Sequence, residues 1–127
     1  MPKRVFVSFD YDYDKTLKDF LIGQSKNPNS LFEIHDWSIK EASPDWKVKA
    51  RARIRASDVV VVICGDHTDE AVGVAIELRI AQEEGIDYFL LNGHNGKTGK
   101  KPTSARTSGK VYKWTWENLK SLVGGGR

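Results

Sequence analysis

DVVVVIC, residues 58–64, is an unbroken apolar run once past its first acid, with β-branched residues at five consecutive positions. As a strand it has no polar face to turn toward water, so both faces must be covered, which is the condition of a strand inside a parallel sheet flanked by helices. The neighbours such a strand needs are KRVFVSF (3–9), LFEIHD (31–36) and DYFLLN (87–92), each rich in Val, Ile, Phe and Leu. The segments between them are long enough to be helical crossovers. Residues 13–24 place Leu17, Phe20 and Leu21 at helical spacing and meet a stop at Gly23 and NPNS; residues 68–84 place Val72, Ile76 and Ile80 four apart, with Gly85 as the stop. VYKWTWENLKSL (111–122) reads as a short strand and a terminal helix with Trp116, Leu119 and Val123 inward, and the GGGR tail is expected to fray.

WKVKARARIRA (46–56) alternates apolar and basic residues, a period that suggests a strand with five cations on one side. A helix is the better reading. Ser43, Pro44 and Asp45 offer an N-cap, a first-turn proline and an N-terminal acid, alanine disfavours strands, and Trp46, Ala50 and Ile54 form one stripe. The cations then divide between a Lys47, Arg51, Arg55 face and a Lys49, Arg53 face. The expected architecture is α/β, a central parallel sheet ordered 2-1-3-4 with a short fifth edge strand and helices on both faces.

A chain of 127 residues suffices for one domain with a core, 1–127. No apolar run approaches the roughly 20 residues of a membrane span, and the basic start lacks a signal-peptide core. The lone Cys64 has no partner for an internal disulfide and reads as a small buried hydrophobe, so a cytoplasmic location is expected. The net charge of +3 is mild, but residues 92–110 carry five Lys or Arg and no acid. Lys97, Lys100, Lys101 and Arg106 could bind a pyrophosphate or nucleic-acid phosphates, or form a solvated, mobile loop, which is the preferred reading.

In this order the elements resemble the bacterial TIR-like domains (Toll/interleukin-1 receptor-like), which are flavodoxin-like in fold, and nearly the whole chain takes part. RVFVSFDYDYD is similar to the opening strand and loop of that family, and RIRASDVVVVICGDHT to its Arg-Ile, Ser-Asp, buried strand and polar tip. GVAIEL holds Glu77 where the family carries its catalytic glutamate, and YFLL followed by Gly93 and a Lys-Pro loop is similar to the short TIR-like proteins of Thoeris anti-phage defence. Two positions depart from the pattern. Gly73 stands where more active members often carry Trp, and DWSIKEASPDW lacks the Arg-Asp-Pro-Gly of signalling receptors.

The resemblance implies an enzyme that cleaves NAD+ between nicotinamide and ribose, forming ADP-ribose or a cyclic or conjugated nucleotide signal. NAD+ is then the substrate, no separate cofactor is required, and no metal is expected. It further implies self-association into an active assembly and a downstream effector that senses the product; membranes are not expected partners and nucleic acid ranks last. Glu77 would be the catalytic carboxylate, against the plainer reading of a surface acid beside Arg79. Ligands of open parallel sheets bind at the carboxyl ends of the strands. That rule gathers Ser8, Phe9 and Asp10 after the first strand, Asp36, Trp37 and Ser38 after the second, and Gly65, Asp66 and His67 after the third. Phe9 and Trp37 could stack on a ring, and Gly65 could let a ligand approach the backbone. Plainer readings stand beside these: Trp37 and Trp46 closing the core, Asp66 capping the next helix, His67 as a loop residue. Asp10, Asp12 and Asp14 resemble a metal cluster but fit a solvated turn better. Lys101-Pro102 is shared with response-regulator receivers, a reading ranked low because a long loop precedes it. Two rivals to the enzyme stay open: a non-catalytic interaction module, favoured by Gly73, and a nucleic-acid binder using KVKARARIR, whose affinity would fall steeply with salt.

Overall fold

The computed structural model describes residues 2–38, 44–94, 97–105 and 109–125. The strands are β1 (Lys3–Ser8), β2 (Phe32–Trp37), β3 (Val59–Cys64), β4 (Asp87–Asn92) and β5 (Val111–Tyr112); the helices are α1 (Lys15–Ser25), α2 (Trp46–Arg55), α3 (Val72–Glu84) and α4 (Trp116–Val123). One sheet holds all five strands in the order β2-β1-β3-β4-β5, and every pairing is parallel. β3 lies at its centre with every residue buried. Its side chains alternate between two cores, as strand geometry requires. Val59, Val61 and Ile63 join Leu21 of α1 and Leu119, Leu122 and Val123 of α4. Val60, Val62 and Cys64 join Ala50 and Ile54 of α2 and Val74, Leu78 and Ala81 of α3. The fold is α/β and flavodoxin-like.

The alternating segment is helical, because Trp46, Ala50 and Ile54 are 5%, 3% and 0% exposed while Val48, apolar but off the stripe, is 72% exposed. Its cations reach for acids on neighbouring elements. Arg51 and Arg55 bind Glu84 through Nη1 and Nε at 2.5 and 2.6 Å, Arg51 also reaches Glu83, and Arg53 lies 3.3 Å from Asp36. The helix starts later than its sequence signals suggest. Pro44 and Asp45 form a turn before it, Asp45 makes no side-chain cap and lies 3.6 Å from Lys49 instead, and the proposed cap Ser43 lies outside the described residues.

Three details differ from the sequence reading. α1 runs through Gly23 to Ser25, and Phe20 is 60% exposed while Lys18 is buried on the sheet-facing side. The 68–84 segment is two helices, a single 3-10 turn (Thr68–Glu70) and α3, separated at Ala71 by an extended ψ of 99°. That break rotates Val72 outward to 65% exposure, leaving Val74, Glu77, Leu78 and Ala81 on the inner face. Gly85 ends α3 at φ 67°, a left-handed conformation that a residue with a Cβ adopts only under strain. Among the described residues no helix is long and apolar enough to cross a membrane.

Helical burial of 46–56 makes a direct prediction. Ile54→Ala should cost about 2–5 kcal/mol of stability in a urea titration, whereas Val48→Ala should stay within about 0.5 kcal/mol. On a strand presenting both side chains to one face, the two substitutions would cost alike.

Candidate active site

Glu77 lies on the inner face of α3 and is 2% exposed, which excludes the surface-acid reading. Position 77 shares that face with Val74, Leu78 and Ala81 because 3 and 4 residues separate neighbours on a helical stripe. A carboxylate brought there from water loses several kcal/mol of hydration unless hydrogen bonds replace it. Two serines supply them. Ser8 Oγ, at the end of β1, donates to Glu77 Oε1 at 2.8 Å, and Ser38 Oγ, just past β2, donates to the same oxygen at 2.5 Å. Ser38 is itself fixed: its N–H donates to Val7 O at 2.9 Å and its Oγ accepts from the Phe9 N–H at 3.1 Å.

The carboxylate borders a cleft of about 310 Å³ walled by residues 9–13, Ser38, Trp46, His67, residues 70–74 and Glu77. Among the described residues its Asp, Glu, Lys and Arg lining is acidic throughout, Asp10, Asp12, Glu70 and Glu77. Asp10 Oδ1 accepts the Asp12 N–H at 3.0 Å, which tightens the turn after β1. His67 stacks on Tyr13 with ring centroids 3.9 Å apart, closing one wall. Trp46, suggested by sequence only as a core residue, is buried and lines the cleft as well.

Of the residues gathered by the strand-end rule, Phe9, Asp10, Ser38 and His67 line the cleft and Ser8 meets it through Glu77. The others do not. Pairing between β1 and β2 slips by one residue, Val5 opposite Ile34 but Phe6 opposite Asp36, so His35 is bulged. A one-residue slip exchanges the faces of everything after it. Asp36 therefore meets Arg53 of α2, and Trp37 turns to the α1 side, where the Lys18 ammonium sits 5.1 Å from its ring and 5.8 Å from that of Phe9. The aromatic pair thus holds a lysine of the chain itself. Asp66 caps no helix: His94 Nε2 and Lys97 Nζ approach its Oδ1 at 2.9 and 3.1 Å. Gly65 admits no ligand but the Asp14 carboxyl, whose oxygens would lie 2.6 Å from a Cβ there.

The solvated-turn reading of the three aspartates holds for exposed Asp12 and fails for Asp10 and Asp14, 8% and 6% exposed. Among the described residues no group of three His, Cys, Asp or Glu could hold a metal ion. The basic loop is tied back to acids, with Lys97 at Asp66 and Lys100 3.8 Å from Asp69, while Lys101 Nζ donates to Gly109 O at 3.1 Å; Arg106 lies outside the described residues. Cys64 is wholly buried, and burial pushes its thiol up to about 12. Lys18 was missed from sequence, since a buried lysine on an exposed-looking helix face carries no local signal, and Asp14 was read as part of a solvated turn.

A family model described as Thoeris protein ThsB, TIR-like domain, matches residues 6–98, well over half of the chain. The chain therefore belongs to this TIR-like family. A search of curated proteins finds no match.

Asp14 generates a pH prediction. Burial, then the charge of Asp10, raises its carboxyl to about 6, opposed by His94 and His67. A raised folded-state value means the native chain binds the extra proton, so stability should fall as pH rises from about 4 to 6. Asp14→Asn should flatten that slope and stabilise the protein at pH 7, as read from urea midpoints at several pH values.

Proposed function

We propose that this TIR-like domain cleaves NAD+ between nicotinamide and ribose, yielding ADP-ribose or a cyclic or conjugated nucleotide signal in anti-phage defence. The observation that carries the reading is Glu77, a buried carboxyl fastened by Ser8 and Ser38 at the wall of a cleft that Asp10, Asp12 and Glu70 also line. A cleft of that charge suits the cationic nicotinamide ring. When the C–N bond breaks, its electron pair passes to the ring nitrogen, the ring leaves neutral, and positive charge moves to the ribose. Ordinary glycosidases need a second carboxyl to protonate the leaving group. Nicotinamide needs none.

Glu77 would then stabilise the oxocarbenium-like ribose, with two fixed hydroxyls setting its direction before charge develops. Water or a nucleotide hydroxyl completes the reaction by adding to the anomeric carbon and losing a proton. At about 310 Å³ the cleft is near the lower end of ligand sites, about 300–1,000 Å³, and fits the nicotinamide end of a dinucleotide. The remainder of NAD+ would be enclosed on self-association, the loop after β2 of one copy completing the site of the next, and an effector protein would sense the product. A non-catalytic interaction module is the second reading, favoured by Gly73, which lines the cleft where an aromatic ring would otherwise help enclose a substrate.

Incubating concentrated protein with NAD+ and following nicotinamide and nucleotide products by mass spectrometry separates the two readings. Glu77→Gln should lower nicotinamide release by about 100- to 1000-fold with little change in melting temperature. NAD+ binding should weaken much less, because the ribose charge arises only as the bond breaks. Ser38→Ala, which removes one hydrogen bond to the carboxylate, should cost about 10- to 100-fold. Wild-type protein that releases no nicotinamide supports the interaction module, and an active Glu77→Gln removes Glu77 from the chemistry.

A further inference from the structure

A second depression, of about 750 Å³, lies between α1 and the carboxyl ends of β4 and β5 and shares no lining residue with the Glu77 cleft. One part of its lining is aromatic. Phe20 stands 60% exposed and meets Trp114 edge-on, the centroids 5.6 Å apart at 66°. Trp114 is held by its own Nε1–H, which donates to Gln24 Oε1 at 2.7 Å, and Trp116 continues the wall. Elsewhere the lining is polar, with Lys97 and Lys113 as its cations, and no acid lines it among the described residues.

Asn92 at the end of β4 builds that polar side. Its Oδ1 accepts the N–H groups of His94 and Gly99 at 3.1 and 2.9 Å, and its Nδ2 donates to Lys97 O at 2.8 Å. Asp66, outside the groove, balances His94 and Lys97. Exposed Lys113 pairs with no acid among the described residues. An aromatic floor beside two lysines selects a planar ring that carries an anion. A bare phosphate would leave the rings uncovered, and an apolar ring alone would leave Lys113 without a counter-charge.

We propose that this groove binds a mononucleotide, its base against Phe20 and Trp114 and its phosphate toward Lys113 and Lys97. The site is at strand ends, where open parallel sheets hold ligands. It does not rest on the reading of Glu77.

Titration calorimetry with AMP tests it, with adenosine and inorganic phosphate as single-feature probes. AMP should bind at least about tenfold more tightly than either. Phe20→Ala should weaken AMP by about 5- to 100-fold, the range of one lost stacking contact. Lys113→Glu should weaken it by more than tenfold, and the wild-type affinity should fall as salt rises. Both side chains are exposed, so melting temperatures should hold. Glu77→Gln should bind AMP as wild type does, whatever its effect on nicotinamide release. No binding at millimolar AMP, phosphate binding as tightly as AMP, or wild-type affinity in either groove variant would overturn the proposal. Loss of AMP binding in Glu77→Gln would also overturn it by placing AMP in the acidic cleft. Much tighter binding of a short oligoadenylate than of AMP would replace the free mononucleotide with a nucleic-acid strand.

Discussion

One buried carboxyl constrains three elements at once. Glu77 belongs to α3, while its hydrogen-bond donors stand at the end of β1 and just beyond β2. An acid at that depth is tolerable only while its hydration is replaced. The three elements therefore have little freedom to slide relative to one another. Ser38 makes the constraint tighter, because the hydroxyl facing Glu77 also accepts the Phe9 N–H and its backbone continues the β1 ladder. The turn carrying Asp10 and Asp12 starts from that fixed point, so the acidic wall of the cleft inherits its position.

Asp14 shows the same cost without the same compensation. Its carboxyl presses against Gly65, and its Oδ2 is buried without a hydrogen-bond partner among the described residues. Lost hydration penalises the charged form, which is why its affinity for a proton rises. Two buried acids near one sheet edge thus sit in different surroundings: Glu77 Oε1 accepts from two serines, and Asp14 takes up a proton more readily.

The sequence carried the sheet plainly, because five β-branched residues in a row leave no amphipathic alternative and Gly85 marks the end of α3 by conformation alone. It also carried the helical reading of 46–56, since the stripe of Trp46, Ala50 and Ile54 outweighs the alternation. Glu77, Ser8, Phe9, Asp10, Ser38 and His67 were legible as strand-end or family-motif positions. Trp37 and Asp36 were misplaced because a bulge at His35, invisible in composition, reverses the faces that simple alternation assigns. Phe20 and Lys18 were exchanged because helical spacing identifies a face without saying what will cover it. Lys18 can lie buried since its long apolar stem packs inward while its ammonium meets Phe9, Trp37 and Asp19. The burial of Asp14 depends on Gly65, remote in sequence.

Charge is distributed by element rather than by net balance. Three of the alternating cations of α2, Arg51, Arg53 and Arg55, are engaged at Glu83, Glu84 and Asp36, so they fasten α2 to α3 and to the sheet edge. Being half exposed, such pairs add modest stability each; their directional guanidinium contacts matter more for alignment. The carboxyl edge of the sheet carries charge of both signs. There the ends of β1 and β2 face an acidic cleft, and the ends of β4 and β5 face a basic groove. Asp66, between them, holds His94 and Lys97 on the basic side. A single sheet edge thereby presents two electrostatic environments.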